Sequence, residues 1–357
     1  MQTLQTLIEA KPETYGGLGL ARGELAALTG TMRDETDDFE VEEIPAYEPC
    51  GVGEHLFLKI EKRGVSAFGL RQRLQDAFEL SDHEIGTAGM KDQAAVTRQW
   101  VSVPARCEPH VALLDGDGLR VLAATRHGNK LRTGHLRGNR FTILVRGLTA
   151  DDQVGAEAIA ARIASHGVAN FYGPQRFGAK GDTAAIGRAL LEGRRNEVPR
   201  RFLERKQRTF ALSALQSQVF NHVLMRRLEQ WPTSTVLAGD LMVKVNGAMF
   251  VAQDVAVETE RFARREIVPT GPMFGNDVMA PTGDALAFEE AAIATMAIGR
   301  QYVVKWGKGL PGARRALFIY PDNLTITTEA AGLRFSFGLP PGAYATVVMA
   351  SFLTHVQ

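Results

Sequence analysis

Alternation of apolar and polar positions dominates the first and last parts of the chain. It predicts strands over residues 39–44, 55–62, 85–88, 96–103, 119–125, 131–136, 140–146 and 333–339. Residues 127–130 and 138–139 supply the turns between neighbouring strands. Short turns between successive strands favour antiparallel pairing, so an α+β fold is expected rather than a doubly wound sheet.

Apolar residues three or four positions apart predict helices over residues 67–78, 151–165, 182–191, 213–228, 286–297 and 343–355. In the first helix, Phe68, Leu70, Leu74 and Phe78 are expected to share one face. Asn246-Gly247, between two β-rich segments, predicts a hairpin turn.

Length and composition narrow the class of protein. A chain of 357 residues with 45% hydrophobic residues favours two packed domains. No apolar run reaches about 18 residues, so no transmembrane helix is expected. The first twelve residues include Glu9 and Lys11 and have no long apolar stretch, which argues against a signal peptide and for the cytoplasm. Cys50 and Cys107 form no motif that implies a disulfide or a metal site.

Positive charge is distributed unevenly, although the formal net charge is only +1. Residues 119–146 hold seven Lys or Arg and no acid, 194–208 hold seven against two glutamates, and 300–315 hold five with no acid. Three such segments would form a phosphate-binding surface if they converge in space. Solvated surface faces are the alternative interpretation.

Several common catalytic motifs are absent from the sequence. It contains no P-loop and no GxSxG, and its glycine-rich segment at 17–23 is a poor dinucleotide fingerprint. The eight histidines have no metal-ligand spacing, so no metal is expected.

The segment 88–100, AGMKDQAAVTRQW, is the best candidate for chemistry. Gly89 allows a sharp turn, and Asp92 follows it in a loop between two predicted strands. Cations at Lys91 and Arg98 would keep the Asp92 carboxylate ionised as a nucleophile or base. The residues alone leave a second interpretation equally open, in which Asp92 caps a turn and pairs with Lys91.

The same segment resembles the catalytic G-x-K-D-x-x-A-x-T-x-Q run of the TruD family of tRNA pseudouridine synthases. Other matching stretches follow in the family's order over about residues 30–350: DFEVEE at 38–43, GVGEHL at 51–56, LRGNRF at 136–141, NFYGPQRFG at 170–178, RRAL at 314–317 and LPPGAYAT at 339–346. One departure is Met349-Ala350-Ser351, where members usually have an Arg-Glu pair, so any role of that pair is in doubt here.

The resemblance implies a divided architecture. A pseudouridine synthase catalytic domain with a mixed, largely antiparallel sheet would occupy residues 1–166. An inserted α/β TRUD domain would occupy 167–317, and residues 318–357 would return to the catalytic domain. The strand at 333–339 would then find its sheet partner in an earlier part of the chain.

The resemblance also implies the reaction. Uridine in tRNA, in the D arm at position thirteen, would be isomerised to pseudouridine without a cofactor, by a monomer. The catalytic aspartate would be Asp92, which either attacks C1′ or removes a proton from C2′. The target uridine would have to leave its stack to reach this carboxylate.

Family motifs suggest roles for further residues, each with an ordinary structural alternative. Phe141 would stack on the flipped base, or be plain strand core, and Asn139 would be its polar neighbour. Phe39 would pack beside the active site or serve only as core. Arg33 would pair with Asp92 or with a substrate phosphate. Lys91 would bind substrate or form a surface salt bridge, and the same two roles are open to Arg98.

Two segments have wider alternatives. Residues 170–178 suit RNA contacts or a rigid hinge, and the three basic segments would hold tRNA phosphates. Other functions compete with the synthase. An RNA-binding protein of the same fold would need no chemistry. A glycoside hydrolase usually needs two carboxylates, and no second acid lies near Asp92 in sequence. A nicotinamide oxidoreductase lacks its fingerprint.

Overall fold

The computed structural model describes residues 21–89, 91, 94–298, 300–306 and 309–356. These residues form two compact units. The first, here called the sheet unit, contains Ala26–Ala160, Pro321–Ala345 and the residues from Phe352 on. The second, here called the helical unit, contains Ala161–Tyr320 and Thr346–Ser351, with the described residues up to Leu25.

The strands of the described residues are, in chain order, β1 (Thr31–Met32), β2 (Phe39–Pro45), β3 (His55–Arg63), β4 (Gly86–Thr87), β5 (Val96–Pro104), β6 (Leu119–His127), β7 (Leu136–Arg146), β8 (Val168–Ala169), β9 (Leu241–Lys244), β10 (Met249–Val251), β11 (Ile267–Met273), β12 (Ala313–Ala316), β13 (Phe318–Ile319), β14 (Asp322–Glu329) and β15 (Gly332–Leu339). The α-helices of the same residues are α1 (Ala67–Phe78), α2 (Ala150–His166), α3 (Thr183–Glu192), α4 (Arg205–Gln230), α5 (Val255–Ala263), α6 (Gly283–Ala294), α7 (Arg300–Trp306) and α8 (Ala345–Met349).

A nine-stranded sheet is the framework of the sheet unit. Its order is β14-β15-β7-β2-β5-β3-β6, with β1 also on β7 and β4 also on β5. The β2–β5 pair is parallel and the other pairs are antiparallel. The expected mixed, largely antiparallel sheet of an α+β fold is therefore confirmed. The late strand β15 pairs with β7, so its predicted partner from an earlier part of the chain is also confirmed.

Helix α1 covers one part of this sheet. Ser66 caps its first turn, since its hydroxyl accepts a hydrogen bond from the Gly69 N–H at 2.9 Å. Leu70, Leu74 and Phe78 recur every four residues and pack into a core with the apolar side chains of β3 and β5. Phe68 was predicted on this face and the prediction is wrong, because Phe68 lies half a turn away and is 77% exposed.

Two predictions around β7 are wrong for different reasons. Residues 131–135 form no strand, because Leu131 is a single buried anchor whose N–H donates to the Ser102 hydroxyl, and Gly134 then turns the chain at φ 91°. Residues 138–139 form no turn, because β7 runs through them. Gly138 is needed there because a Cβ would lie 2.3 Å from the Leu339 carbonyl oxygen of β15.

The last helix is also shorter than the predicted 343–355, since α8 ends at Met349. Beyond it the Leu28 N–H donates to the Phe352 carbonyl, and the Thr354 N–H donates to the Leu28 carbonyl. This backbone pairing with Leu28 replaces further helical hydrogen bonds. Met349, in the departure from the family pattern, is completely buried, so the position suits an apolar side chain.

The helical unit has two cores. Helices α3 and α4 pack in the first, and the second lies beside the four-stranded sheet of order β10-β9-β11-β12. The β9–β10 hairpin turns at Asn246-Gly247, which confirms that predicted turn. Gly247 adopts φ 86°, a left-handed conformation that favours glycine.

A buried ion pair in the helical unit corrects one expectation about the third basic segment. The guanidinium of Arg314 binds both carboxylate oxygens of Glu289, at 2.8 and 2.5 Å, and its side chain is 2% exposed. Arg315 lies 4.0 Å above the Tyr172 ring and donates to Asn170. Arg314 therefore serves the interior of this unit, so the expectation that it holds a tRNA phosphate is wrong.

Arg314→Gln is expected to lower the free energy of unfolding by about 3–5 kcal/mol, because the Glu289 carboxylate stays buried without its partner. Urea denaturation measures the loss. The double variant Arg314→Leu/Glu289→Leu should recover most of it, since neither charge is then buried. A double variant as unstable as the single one would contradict this account of the pair.

Candidate active site

The Asp92 loop connects β4 to β5 in the sheet unit. Asp92 itself lies outside the described residues, so its predicted catalytic role stays a prediction. The described residues on either side are well anchored, since Ala88, Ala95 and Val96 are each at most 2% exposed. Such buried ends restrict where the loop between them can go.

Lys91 connects this loop to the sheet. Its ammonium donates to the Asn139 side-chain oxygen at 2.5 Å and lies 3.3 Å from the Glu43 carboxylate. Glu43 on β2 is directly opposite Asn139 on β7 in the antiparallel register. The side chains of Lys91 and Glu43 are only 7% and 1% exposed, so a surface salt bridge does not describe the pair. We call Glu43, Lys91 and Asn139 the polar triad.

Burial sets the electrostatics of the triad. It raises the pKa of the Glu43 carboxyl, although the Lys91 ammonium and the Trp100 N–H each lower it in part. The folded chain therefore holds a proton on Glu43 more tightly than the unfolded chain does. The contribution of Glu43 to stability is complete below its ordinary pKa of 4.5 and is lost as the pH rises through the raised value.

We expect Glu43→Gln to gain stability relative to the wild type as the pH rises through this window, because a neutral amide does not titrate. Urea denaturation of both proteins at several pH values measures the difference. A difference that is constant with pH, or that shifts towards the wild type, would contradict the raised pKa.

Aromatic side chains line the same face of the sheet beside the triad. Phe39 on β2 meets Phe141 on β7 edge to face, with ring centroids 6.1 Å apart. Phe337 on β15 lies opposite Phe141 in register, with centroids 5.8 Å apart. Phe39 and Phe141 are 2% and 8% exposed, so both belong to the core in the described structure. Sequence reasoning missed Phe337, although its strand was predicted.

Arg33 and Asp38 fix the start of β2. Arg33 has a left-handed backbone, φ 63°, and its guanidinium lies 4.1 Å from the centre of the Phe39 ring. The buried Asp38 carboxylate accepts two hydrogen bonds from Arg146, each 2.8 Å, which hold its pKa below the usual value. The contact of Arg33 with the Phe39 ring and the hydrogen bonds of Asp38 with Arg146 therefore hold Phe39 in place.

Arg98 does not join the triad. It binds Glu40 at 2.9 Å and Glu61 at 2.8 Å, and Glu40 alternates with Phe39 and Val41 along β2. Because successive strand side chains point to opposite faces, Arg98 lies on the other face of the sheet from Glu43. For Arg98 the salt-bridge interpretation is the one that holds.

Polar groups of residues 170–178 form hydrogen bonds within the helical unit. Asn170 donates to the Ala316 carbonyl at 2.8 Å, and the Tyr172 N–H donates to Asn221 at 2.8 Å. Arg176 binds the hydroxyls of Ser213 and Ser217 on α4. These contacts favour the rigid structural role over direct RNA contact for Asn170 and Arg176.

No group of three or more His, Cys, Asp or Glu among the described residues is placed to hold a metal ion. None of the helices in that part of the chain is both long and apolar enough to span a bilayer.

The sequence of the chain places it in a known class of RNA-modifying proteins. The family model described as tRNA pseudouridine synthase D (TruD) matches residues 23–206 and 200–352, and the chain belongs to this family.

Individual relatives support this family assignment. A tRNA pseudouridine synthase D of Anaeromyxobacter dehalogenans is 42% identical over 334 residues, covering 93% of this chain and 95% of the relative. One of Thermus thermophilus is 39% identical over 345 residues, covering 95% and 92%. The crystal structure of a candidate tRNA pseudouridine synthase D from Methanosarcina mazei has the same fold, with a TM-score of 0.76, 21% identity and 99% coverage of both chains.

Proposed function

We propose that the protein isomerises a uridine of tRNA to pseudouridine, with Asp92 as the catalytic carboxylate and without a cofactor. Membership of the TruD family is the observation that supports this reaction. The contact of Lys91 with Glu43 and Asn139 supports the placement of the site, because it ties the residue next to Asp92 to the centre of the sheet.

The reaction balances without any outside reagent. The N1–C1′ bond breaks, the base turns, and C5 bonds to C1′. C5 then loses its proton, N1 gains one, and no electron leaves the substrate. An ionised Asp92 beside the sugar either adds to C1′ and later departs, or takes a proton from C2′ and later returns it.

The remaining residues position these groups. We propose that the polar triad fixes the Asp92 loop, so that the carboxylate meets the sugar in a restricted geometry. Phe141, supported by Phe39 and Phe337, offers an aromatic surface to the extruded base. Arg33 is proposed to meet Asp92 or a phosphate when substrate is bound.

The proposal extends to substrate and organisation. The uridine is that of position thirteen in the D arm, and the protein acts as a cytoplasmic monomer. Residues 167–317 form the inserted TRUD domain, while 1–166 and 318–357 form the catalytic domain. The helical unit of the structure, whose main segment is Ala161–Tyr320, is the basis for treating the insert as a separate body.

Transfer RNA transcripts tritiated at uridine C5 test the reaction. The wild-type protein is expected to release tritium to water, because C5 loses its hydrogen when it bonds to C1′. Carbodiimide modification followed by primer extension then locates the product. No release from a full pool of unmodified tRNA would remove the proposed activity, and release from another uridine would remove only the assigned position.

Phe141→Leu is expected to lower kcat/KM by about 10- to 100-fold, because it removes the stacking surface, while an apolar side chain of similar volume keeps most of the stability. Phe335→Leu is the matched control, since Phe335 is buried in the same sheet and contacts Phe352. Equal losses of kcat/KM in the two variants would reduce Phe141 to ordinary core.

A further inference from the structure

A cavity of about 560 Å³ lies within the helical unit, in a part of the chain with no role in the proposed chemistry. It is lined by Leu190, Leu191, Arg195, Leu203, Arg208 and Trp306, together with Gly193. Cavities of a few hundred Å³ with an apolar wall and a few polar groups are typical of ligand sites. One nucleotide fits such a volume.

Trp306 forms a fixed aromatic wall. Its indole N–H donates to the Leu191 carbonyl at 3.2 Å, which sets the orientation of the ring. The Arg208 guanidinium lies 6.0 Å from the ring centre. An indole face beside a guanidinium suits a nucleobase, because both groups stack on flat π systems.

Basic residues line the cavity and continue along the adjoining segment of the chain. Arg195 and Arg208 line it, and the adjoining segment adds exposed side chains at Arg200, Arg201, Arg205 and Lys206. Within the described part of the chain, no carboxylate lies at salt-bridge distance from any of these six. Arg194, by contrast, pairs with Glu192 at 2.8 Å and also with Glu197. The six cations are therefore available to an anion.

We propose that this cavity binds one unpaired nucleotide of the RNA substrate, at a site separate from Asp92. The base packs against Trp306, the phosphates on its two sides meet Arg195 and Arg208, and further phosphates of the strand meet the exposed cations of residues 200–206. A free mononucleotide would use only one or two of these charges, so their number points to a strand. The identity of that strand as tRNA rests on the function proposed above.

Equilibrium binding of unmodified tRNA tests the site. Arg195→Gln/Arg208→Gln is expected to raise Kd by about tenfold and to make log Kd less steep against log salt by about 1.4, the slope of two lost contacts with single-strand phosphates. Arg226→Gln/Arg264→Gln is the control. It removes the same charge from two exposed arginines of this unit that do not line the cavity and pair with Glu229 and Glu260.

Trp306 gives an independent readout. Trp306→Ala is expected to raise Kd by about tenfold through lost stacking, and Trp306→Phe to stay near the wild type. If circular dichroism shows that Trp306→Ala is unfolded, the Arg195→Gln/Arg208→Gln variant alone tests the proposed site. Wild-type binding by Arg195→Gln/Arg208→Gln, or an equal loss in the control pair, overturns the proposal.

The activity assay separates this site from the proposed function. When the rate is measured over a range of tRNA concentrations, the cavity variants are expected to reach the wild-type kcat at saturation but to have a higher KM. If the wild type releases no tritium, the proposed reaction is wrong. The comparison of tRNA binding by the wild type and the cavity variants then still tests whether the cavity binds RNA. A fall in kcat at unchanged KM would contradict a site that only binds.

Discussion

Replacing Asp92 with asparagine is expected to lower the rate of pseudouridine formation by roughly 10⁴-fold or more. The amide keeps the size of the side chain but removes the negative charge needed to attack C1′ or to take a proton from C2′. Both routes therefore predict the same loss. Tritium release from tRNA under single-turnover conditions measures it over the required range.

The binding of tRNA provides the control for Asp92→Asn. The variant should bind tRNA within about threefold of the wild type, since removing one carboxylate from a polyanion site does not weaken attraction to phosphate. A protein that only binds or folds RNA would release no tritium with or without the substitution, and its binding of tRNA would not change. Unchanged turnover in Asp92→Asn would exclude the carboxylate mechanism.

The second largest effect is expected at Glu43. Glu43→Gln should lower kcat by about 100-fold, because Lys91 loses its charged partner and the adjoining Asp92 loop is no longer held at its position. Displacement of a catalytic group by about 1 Å is enough for a loss of this size. Single-turnover rates in wild type and variant measure it.

Glu40→Gln is the matched control for Glu43→Gln. Glu40 lies on the same strand and also binds a cation, Arg98, but on the opposite face of the sheet. Its loss is expected to change kcat by no more than about twofold. Equal effects of the two variants would show that the triad has no special role in positioning the loop.

The pH profile separates positioning by Glu43 from general destabilisation. The Lys91–Glu43 charge pair exists only above the pKa of Glu43, which burial raises above 4.5. The wild-type kcat should therefore fall as the pH falls through that raised value. Glu43→Gln should lack this acid limb and remain at its low plateau. An unchanged acid limb in the variant would assign the titration to another group.

Much of the sheet was predictable from alternation alone. The strands predicted at 39–44, 55–62, 96–103 and 333–339 each lie within about two residues of the observed bounds, because apolar residues recur along each of them. Helix α4 was predicted to begin at 213 but begins at Arg205. Its first turns are polar and basic, so they have no apolar period to detect.

The site was only partly predictable. The family motifs mark Lys91, Asn139 and Phe141, but the contact of Lys91 with Glu43 depends on the register of β2 against β7, which a local pattern does not specify. One signal was present, because alternation from Phe39 and Val41 places Glu43 on the buried face. A carboxylate at such a position calls for a buried partner.

The central claim is that one carboxylate, next to Lys91, converts uridine in tRNA to pseudouridine. Its most direct test is single-turnover release of C5 tritium, with protein in excess over tRNA, by the wild type and Asp92→Asn side by side. We predict release equivalent to one uridine per tRNA by the wild type and almost none by the variant in the time that the wild type takes to finish. Release by both proteins at the same rate, or by neither, would contradict the claim.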